Sequence, residues 1–242
     1  MSVLAHLASH RGLAVLVDPT RTTAEQAVDL ASRAADEGVV ALLVGTSYGN
    51  EVDVGAVARA VKQGAPNVPL LEFPGAASHL VPDVDAVLLL SLVSGRNAQY
   101  LIEEHVRAVP FFERHPHVEP ISTAYLLIDG GEVTSVEAVS QTRPLPAGKP
   151  ELVAAHVRAA MLVGMAAAYL DAGSGARRPV APALIRAARA STRGPLFVGG
   201  GLRTPDAVRA ARGAGADVIV VGTLLERQGA PAVRELALAA RA

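Results

Sequence analysis

Short apolar runs rich in Val, Leu and Ala alternate along the chain with longer segments in which apolar residues recur at helical spacing. Such runs are typical of parallel strands buried on both faces, and the periodic segments indicate helices that pack one side against a sheet. Strands are predicted at Leu13–Val17, Val39–Val44, Val68–Phe73, Ala86–Leu90, Thr123–Ile128, Ala167–Asp171, Leu196–Val198 and Val218–Val221.

Helices are predicted between these strands, and one segment departs from the alternation. The first helical segment starts at Thr22–Thr23 and runs to about Glu37. Further helical segments are predicted at Val54–Lys62, Gln99–Val109, Glu151–Met165 and Ala230–Ala240. Asp129–Gly131 resembles a hairpin turn, so Glu132–Val139 is predicted as an antiparallel excursion. Repeated strand–helix alternation without a linker predicts an α/β fold, a single-domain (β/α)8 TIM barrel over residues 1–242.

Two of the predicted strands end in glycine. Gly199–Gly201 follows the seventh strand, and Gly222 follows the eighth. Loops without side chains let backbone N–H groups approach an anion, and Thr204 with Pro205 signals a helix N-terminus after the first loop. Because amides after strands 7 and 8 form the usual phosphate site of such a barrel, we predict phosphate binding here. The alternative is that the glycines only make tight turns.

Composition narrows the class of protein further. Half of the 242 residues are hydrophobic but only 3% are aromatic, the net charge is -1, and cysteine is absent. A near-neutral chain gives no electrostatic reason to expect nucleic acid, and disulfides and thiolate metal sites are excluded. The N-terminus lacks the pattern of a signal peptide, and no apolar run is long enough to span a bilayer. We therefore expect a cytoplasmic protein.

Carboxylates at predicted strand ends supply candidate chemistry. Asp18 precedes Pro19, so its carboxylate is expected at the mouth of the barrel, where one carboxylate with hydroxyl and substrate oxygens can bind Mg²⁺. Ser47 could supply such an oxygen or cap the next helix. Asp171 ends the sixth strand before the small residues Ala172–Ala176. For both aspartates the alternative is a structural cap or turn residue.

Taken together, these segments resemble the geranylgeranylglyceryl phosphate synthase family, the prenyltransferases of ether-lipid synthesis. The similarity covers almost the whole chain, and its most specific stretches are Ser94–Asn97 and Tyr169–Ala176. Lys149–Pro150 is similar to the family's second group, which has bacterial members and often forms larger oligomers. The other similar segments are Leu16–Pro19, Val44–Ser47, Glu72–Gly75, Leu90–Val93, Thr123–Tyr125, Val198–Arg203, Gly215–Asp217 and Val221–Gly222.

The resemblance implies Mg²⁺-dependent transfer of a geranylgeranyl or similar polyprenyl chain from its diphosphate to the 3-hydroxyl of sn-glycerol 1-phosphate, by a homo-oligomer. It makes Asp18 and Ser47 the metal positions, Asp171 the base and Tyr169 its catalytic neighbour. The implied prenyl diphosphate positions are Ser94, Gly95, Arg96 and Asn97. The implied glycerol phosphate positions are Tyr169, Leu170, Asp171, Ala172, Gly173, Ser174, Gly175, Gly200, Gly201, Gly222 and Thr223.

The chain departs from the family pattern at four positions. The family usually has glutamate at Asp171, glycine at Thr46, asparagine at Thr223 and lysine at Arg21. The shorter acid at Asp171 reduces the reach of the base by about 1 Å, which is enough to change a rate. Two alternative functions therefore stay open: another phosphate-barrel enzyme of the sugar-phosphate isomerase type, and a barrel that binds prenyl or glycerol phosphates without turnover.

Overall fold

The structure is a closed barrel of eight parallel strands in chain order, with β1 also paired to β8. It is a computed structural model that describes residues 1–46, 52–222 and 230–241. The predicted (β/α)8 fold is confirmed. The strands are β1 Gly12–Val17, β2 Ala41–Val44, β3 Leu70–Glu72, β4 Ala86–Leu92, β5 Glu119–Leu127, β6 Ala167–Asp171, β7 Leu196–Gly199 and β8 Val218–Val221.

Helices lie around this barrel and at its ends. They are α1 Val3–Ser9, α2 Ala24–Asp36, α3 Val54–Gly64, α4 Glu104–Arg114, α5 Ser135–Ser140, α6 Pro150–Leu162, α7 Pro182–Arg189, α8 Pro205–Gly213 and α9 Ala230–Arg241. A turn of 3₁₀ helix spans Ala77–His79, and a π-helical turn, Gln99–Glu103, leads into α4. Thr23 and Thr204 cap α2 and α8 with their hydroxyls, as their positions before the helical patterns predicted.

Side chains alternate along each strand between the barrel interior and the helix layer. Leu13, Val15 and Val17 pack with the helices, whereas Ala14 points into the barrel. The interior set consists largely of small and aliphatic side chains, together with Tyr125, Tyr169 and Phe197. Strands buried on both faces explain why the sequence shows continuous apolar runs rather than alternation.

Helix α1 was not predicted from the sequence, and it covers the end of the barrel opposite the site. Leu7 is completely buried with the interior side chains. Ser2 caps the helix, and the Glu119 carboxylate accepts hydrogen bonds from the Val3 and Leu4 amides. The helix is short, so its few apolar positions gave too weak a periodic signal. Helix α7 was also absent from the sequence prediction.

The predicted antiparallel excursion at Glu132–Val139 is wrong, because most of it forms α5. The Thr134 hydroxyl accepts from the Glu137 amide and starts the helix, which ends where Gln141 adopts a left-handed conformation. The hairpin-like turn at Asp129–Gly131 favoured a strand, but the capping pattern from Thr134 to Glu137 favours a helix. Asp129 does make a turn by accepting from the Gly131 amide, although no hairpin follows within the described residues.

No helix in the described parts of the chain is long and apolar enough to cross a membrane.

Candidate active site

A polar pocket opens at the carboxyl ends of the strands. Most of the residues predicted for metal and glycerol phosphate line it, which places candidates from β1, β6, β7 and β8 around one space. These are Asp18, Tyr169, Asp171, Ser174, Gly175, Gly200, Gly201 and Gly222. Leu16, Gly45, Thr46, Phe73, Leu202, Arg203, Val220 and Val221 complete the lining.

The Asp171 carboxylate is buried at the floor of this pocket and both of its oxygens are held. Its Oδ2 accepts from the Tyr125 hydroxyl at 2.7 Å, and its Oδ1 accepts from the Gly173 amide at 2.8 Å. Burial raises the pKa of Asp171, and the hydrogen bonds from Tyr125 and Gly173 partly offset this effect. A fixed carboxylate with a raised pKa is suited to take a proton from a hydroxyl placed beside it.

An aromatic cluster supports Asp171 from below. The Tyr169 ring stacks between Phe73 at 5.0 Å and Phe197 at 5.6 Å, and Tyr125 meets it edge-on at 5.6 Å. These four rings are half of the chain's Phe and Tyr residues, four of each, in a chain without Trp. Burial raises the pKa of Tyr169 well above its ordinary value, and the neighbouring Asp171 contributes to the same shift. Tyr169 therefore keeps its proton and acts as a neutral wall of the pocket.

The glycine loop after β7 lies directly against the acid. Gly200 and Gly201 adopt left-handed conformations, with φ of 80° and 70°. A Cβ atom at Gly200 would lie 2.8 Å from Asp171 Oδ1 and 2.7 Å from the Gly173 nitrogen. Glycine is therefore required both by the backbone conformation and by the close approach of the two loops. The acid and the predicted phosphate-binding backbone are thus immediate neighbours.

Arg203 was not among the predicted site residues, yet it lines the pocket. Its Nη2 donates to the carbonyl oxygens of Gly175 and Ala176, both at 2.9 Å. This contact fixes the loop that follows Asp171, since Gly173 and Gly175 have positive φ and the loop has few side chains of its own. One usable signal in the sequence is an arginine shortly after the glycine loop.

The Asp18 carboxylate lines the same pocket from the end of β1. Its Oδ1 accepts from the Thr20 amide at 2.9 Å and the Thr20 hydroxyl at 2.7 Å, which is an Asx-type turn. Its Oδ2 is 3.8 Å from Arg21 Nε. Asp18 therefore forms the structural turn that was the alternative to a metal ligand, and it also lines the pocket. The described residues contain no group of three or more His, Cys, Asp or Glu side chains that could hold a metal by themselves.

An apolar pocket adjoins the polar one, and Thr46 and Phe73 line both. Tyr125, which holds Asp171, also lines the apolar pocket, and Val136 and Val139 of α5 form part of its wall. The remaining apolar wall comes from the segment after β3, from β4 and from α4, through Pro74, Gly75, Ala76, Ala77, Leu80, Leu89, Leu90, Leu92 and Ala108. Tyr100, Glu104, His105 and Ser140 supply its polar groups.

The Ser94–Asn97 segment lies outside the linings of both pockets. Ser94 is buried and its hydroxyl accepts from the Leu127 amide, and Asn97 donates to the Ser140 carbonyl. The exposed Arg96 donates to the Gly95 carbonyl. These contacts connect the loop after β4 to β5 and α5, so the segment positions the wall of the apolar pocket. Its assignment to prenyl diphosphate stays a prediction.

Two predicted site residues, Ser47 and Thr223, lie outside the described residues. Tyr125 lies in one of the segments that resemble the family but was not among the predicted site residues. Its contact with Asp171 depends on the stagger of the strands, because Tyr125 is registered with Tyr169 on β6 rather than with Asp171. Spacing along one chain carries no information about that stagger.

Replacing Gly200 with alanine should weaken the binding of inorganic phosphate at least about tenfold. A left-handed conformation costs an L-residue about 1–2 kcal/mol, and the new methyl group would collide with Gly173 and Asp171. Calorimetric titration with phosphate measures the change. The control is Gly148→Ala, because a Cβ there meets nothing within 4 Å. Unchanged phosphate affinity in the Gly200 variant would contradict the assignment.

The closed barrel of eight parallel strands, with a candidate site at their carboxyl ends, places the chain in the class of (β/α)8 barrel proteins. Within that class the chain belongs to the PcrB family, whose model matches residues 7–240.

Relatives of known name cover nearly the full length of the chain. It is 39% identical to geranylgeranylglyceryl phosphate synthase of Spirosoma linguale, over 91% of this chain and 88% of the relative. It is 40% identical to the synthase of Thermococcus kodakarensis, over 89% of this chain and 84% of the relative. The crystal structure of (S)-3-O-geranylgeranylglyceryl phosphate synthase from Thermoplasma acidophilum, in complex with its substrate sn-glycerol-1-phosphate, superimposes with a TM-score of 0.90 at 27% identity, covering 99% and 98% of the two chains.

Proposed function

We propose that this protein is a prenyltransferase that joins a geranylgeranyl or similar polyprenyl chain to the 3-hydroxyl of sn-glycerol 1-phosphate. One observation carries the proposal: a polar pocket with a buried acid and glycine amides adjoins an apolar pocket across Thr46 and Phe73. A polar phosphate ester and a hydrocarbon chain would then meet beside Asp171. The names of the relatives support the same reaction.

The reaction forms one bond and breaks another at the same carbon. The 3-hydroxyl oxygen of glycerol phosphate forms a bond to C1 of the prenyl chain as the bond from C1 to the diphosphate oxygen breaks. The hydroxyl proton passes to the Asp171 carboxylate, and diphosphate leaves. The Asp171 oxygens each accept one hydrogen bond from the protein, which leaves lone pairs available for the substrate hydroxyl.

The glycerol phosphate is assigned to the loops around Asp171. Its phosphate would bind to amides of the glycine loops at Gly200, Gly201 and Gly222, with Thr223 as a further proposed donor. The segment from Tyr169 to Gly175 would hold the glycerol. Burial of the acid beside these amides excludes bulk water, which strengthens the electrostatic interactions at the reacting oxygen.

A Mg²⁺ ion is part of the proposal, with Asp18 and Ser47 as its protein ligands. One carboxylate on a pocket wall suits an ion that takes most of its oxygens from a diphosphate and water. The chemistry that Mg²⁺ supplies in such a site is neutralisation of the charge on the departing diphosphate. Asp18 contributes negative charge, and Thr20 fixes the orientation of its carboxylate. We further propose a homo-oligomer that acts in the cytoplasm.

Product analysis tests the proposed function against its alternatives. The protein is incubated with geranylgeranyl diphosphate, sn-glycerol 1-phosphate and Mg²⁺, and the organic extract is examined by mass spectrometry for the prenylglyceryl ether. A sugar-phosphate isomerase would give no such ether and would isomerise an added sugar phosphate. A non-catalytic barrel would bind both substrates and return them unchanged.

Replacing Tyr125 with phenylalanine should shift the acidic limb of the kcat/KM profile to higher pH. The Tyr125 hydroxyl stabilises the charged form of Asp171, so its loss raises the pKa of Asp171 further and leaves less of the base ionised. Activity at neutral pH should fall about tenfold, since hydrogen bonds to charged groups contribute about 1.5–3 kcal/mol.

The matched control is Thr123→Val, which removes another buried hydroxyl from the same strand. Thr123 donates to the Ile121 carbonyl rather than to Asp171. The acidic limb of its kcat/KM profile should lie at the same pH as that of the wild type. A Tyr125→Phe profile that coincides with the wild type would show that this hydrogen bond does not tune the base.

A further inference from the structure

Glu72 is a fully buried carboxyl group that the proposed reaction does not use. It ends β3 and has no exposed surface. Its Oε2 accepts from the Val81 amide at 3.0 Å, whereas its Oε1 has no hydrogen-bond partner among the described residues. Its neighbours in register on β2 and β4 are Val44 and Val87, which are both apolar.

The hydrogen bond from Val81 closes a loop whose residues form one wall of the apolar pocket. The wall loop, residues 73–81, begins at Phe73, which stacks on Tyr169 and lines both pockets. Pro74 to Ala77 and Leu80 also line the apolar pocket. Glu72 holds the end of this loop close to its beginning.

A second carboxylate holds the middle of the wall loop. Glu104 Oε2 accepts from the Ala77 amide at 2.7 Å, at the start of the 3₁₀ turn. Glu104 is itself held by Gln99 and Arg107, the latter at 2.8 Å. Glu104 therefore has charged and polar partners, whereas the Val81 amide is the one hydrogen-bond partner of Glu72 among the residues that the structure describes.

Burial raises the pKa of Glu72 to about 8, and the Val81 hydrogen bond offsets only part of this effect. Glu72 is thus neutral at pH 7. A neutral carboxyl can remain in an apolar site with one oxygen unpaired, but ionisation there carries a large desolvation cost. As pH rises from about 4.5, the ordinary value for glutamate, to about 8, the buried, closed arrangement loses stability relative to one in which the carboxylate reaches water, and above about pH 8 the loss is complete.

We propose that Glu72 is a positioning residue that, in its neutral form, closes the wall loop and so shapes the apolar pocket for the prenyl chain. The inference deepens the proposed function and rests on the assignment of that pocket to the prenyl group. Ionisation of Glu72 opens the loop and weakens prenyl binding.

Other titratable groups lie around the end of the wall loop. A surface recess beside Val81 contains an ion pair between Arg59 and Asp83 at 3.1 Å. It also contains Asp53, whose carboxylate caps α3, and His79, whose pKa is lowered chiefly by burial. Glu72 is therefore the group expected to ionise near pH 8 at this position.

The test compares the wild type with Glu72→Gln and Glu72→Ala. The affinity of each for geranylgeranyl diphosphate is measured by calorimetry between pH 6.5 and 9.5, in the absence of glycerol phosphate. Glutamine keeps an acceptor for the Val81 amide but cannot ionise. The wild type should bind about tenfold more weakly at pH 9.5 than at pH 7, and Glu72→Gln should bind equally at both. Glu72→Ala should bind about fivefold more weakly at pH 7, because the loop has lost its closing hydrogen bond.

Hydrogen exchange of residues 73–81 provides a second readout that needs no ligand. After correction for intrinsic rates, exchange should accelerate as pH rises from 6.5 to about 8 in the wild type, level off above that, and show neither change in Glu72→Gln. The control is Glu119→Gln, a carboxylate that holds α1 at the opposite end of the barrel and should change neither readout. Because neither measurement requires turnover, failure of the synthase assay leaves this test intact. Equal pH dependence in wild type and Glu72→Gln, or wild-type affinity in Glu72→Ala at pH 7, overturns the proposal.

Discussion

Asp171→Asn is expected to lower turnover by about 100-fold or more. Asparagine keeps the size of the side chain and an oxygen for a hydrogen bond but cannot take the hydroxyl proton, and general-base catalysis contributes about 10²–10⁴ in rate. The affinity for glycerol phosphate should change little, because the glycine amides remain. Initial rates of ether formation under saturating substrates give the comparison.

Asp171→Glu is the companion variant, and it should preserve or raise turnover. The wild-type carboxylate is held between Tyr125, Gly173 and the backbone of Gly200. The added methylene moves the carboxylate toward the substrate and restores the reach that the family resemblance implies. Glycines at 173 and 175 give the following loop the freedom to adjust. If the asparagine variant is as active as the wild type, the proton goes elsewhere and Asp171 is not the base.

Asp18→Asn should reduce activity at least about 100-fold at low Mg²⁺, with partial recovery as Mg²⁺ is raised. The asparagine oxygen can still accept from Thr20, so the turn after β1 is retained while the negative charge is lost. The expected loss reflects weaker neutralisation of the departing diphosphate. Rates as a function of Mg²⁺ concentration measure it. Asp18→Ala should abolish activity.

The matched control is Asp29→Asn, which removes a carboxylate from the exposed surface of α2. Asp29 pairs with Arg33 at 2.8 Å, and its side chain is 62% exposed, so it should affect neither rate nor Mg²⁺ dependence. Thermal unfolding checks that both variants stay folded. An Asp18→Asn enzyme with the Mg²⁺ dependence of the wild type would remove Asp18 from the metal site.

The barrel could be predicted from sequence because its strands are buried on both faces. Runs such as Leu13–Val17 and Val218–Val221 are apolar throughout, and the glycines after β7 and β8 mark where the chain leaves the barrel. The residues predicted around Asp171 and Gly200 could be placed on one face because the carboxyl ends of parallel strands meet there. The structure brings Asp18 to the same pocket.

Other features depend on contacts between segments far apart in the chain. Tyr125 meets Asp171 through the stagger of β5 and β6, and Glu72 meets Val81 by closing a loop. The segment of helix α5 was mistaken for a strand because Asp129–Gly131 resembles a hairpin turn, whereas both valines of the helix, Val136 and Val139, line the apolar pocket. Sequence spacing specifies none of these contacts.

Stereospecific ether formation is the measurement that tests the proposed function most directly. Purified protein is given geranylgeranyl diphosphate, Mg²⁺ and either sn-glycerol 1-phosphate or its 3-phosphate enantiomer, and the ether product is quantified by mass spectrometry. We expect the prenylglyceryl ether from the 1-phosphate, with one diphosphate released per ether, and at least about tenfold less from the enantiomer, whose hydroxyl is misplaced relative to Asp171 when its phosphate occupies the glycine loops. Absence of ether from both enantiomers, in a folded protein that binds both substrates, would contradict the proposed reaction.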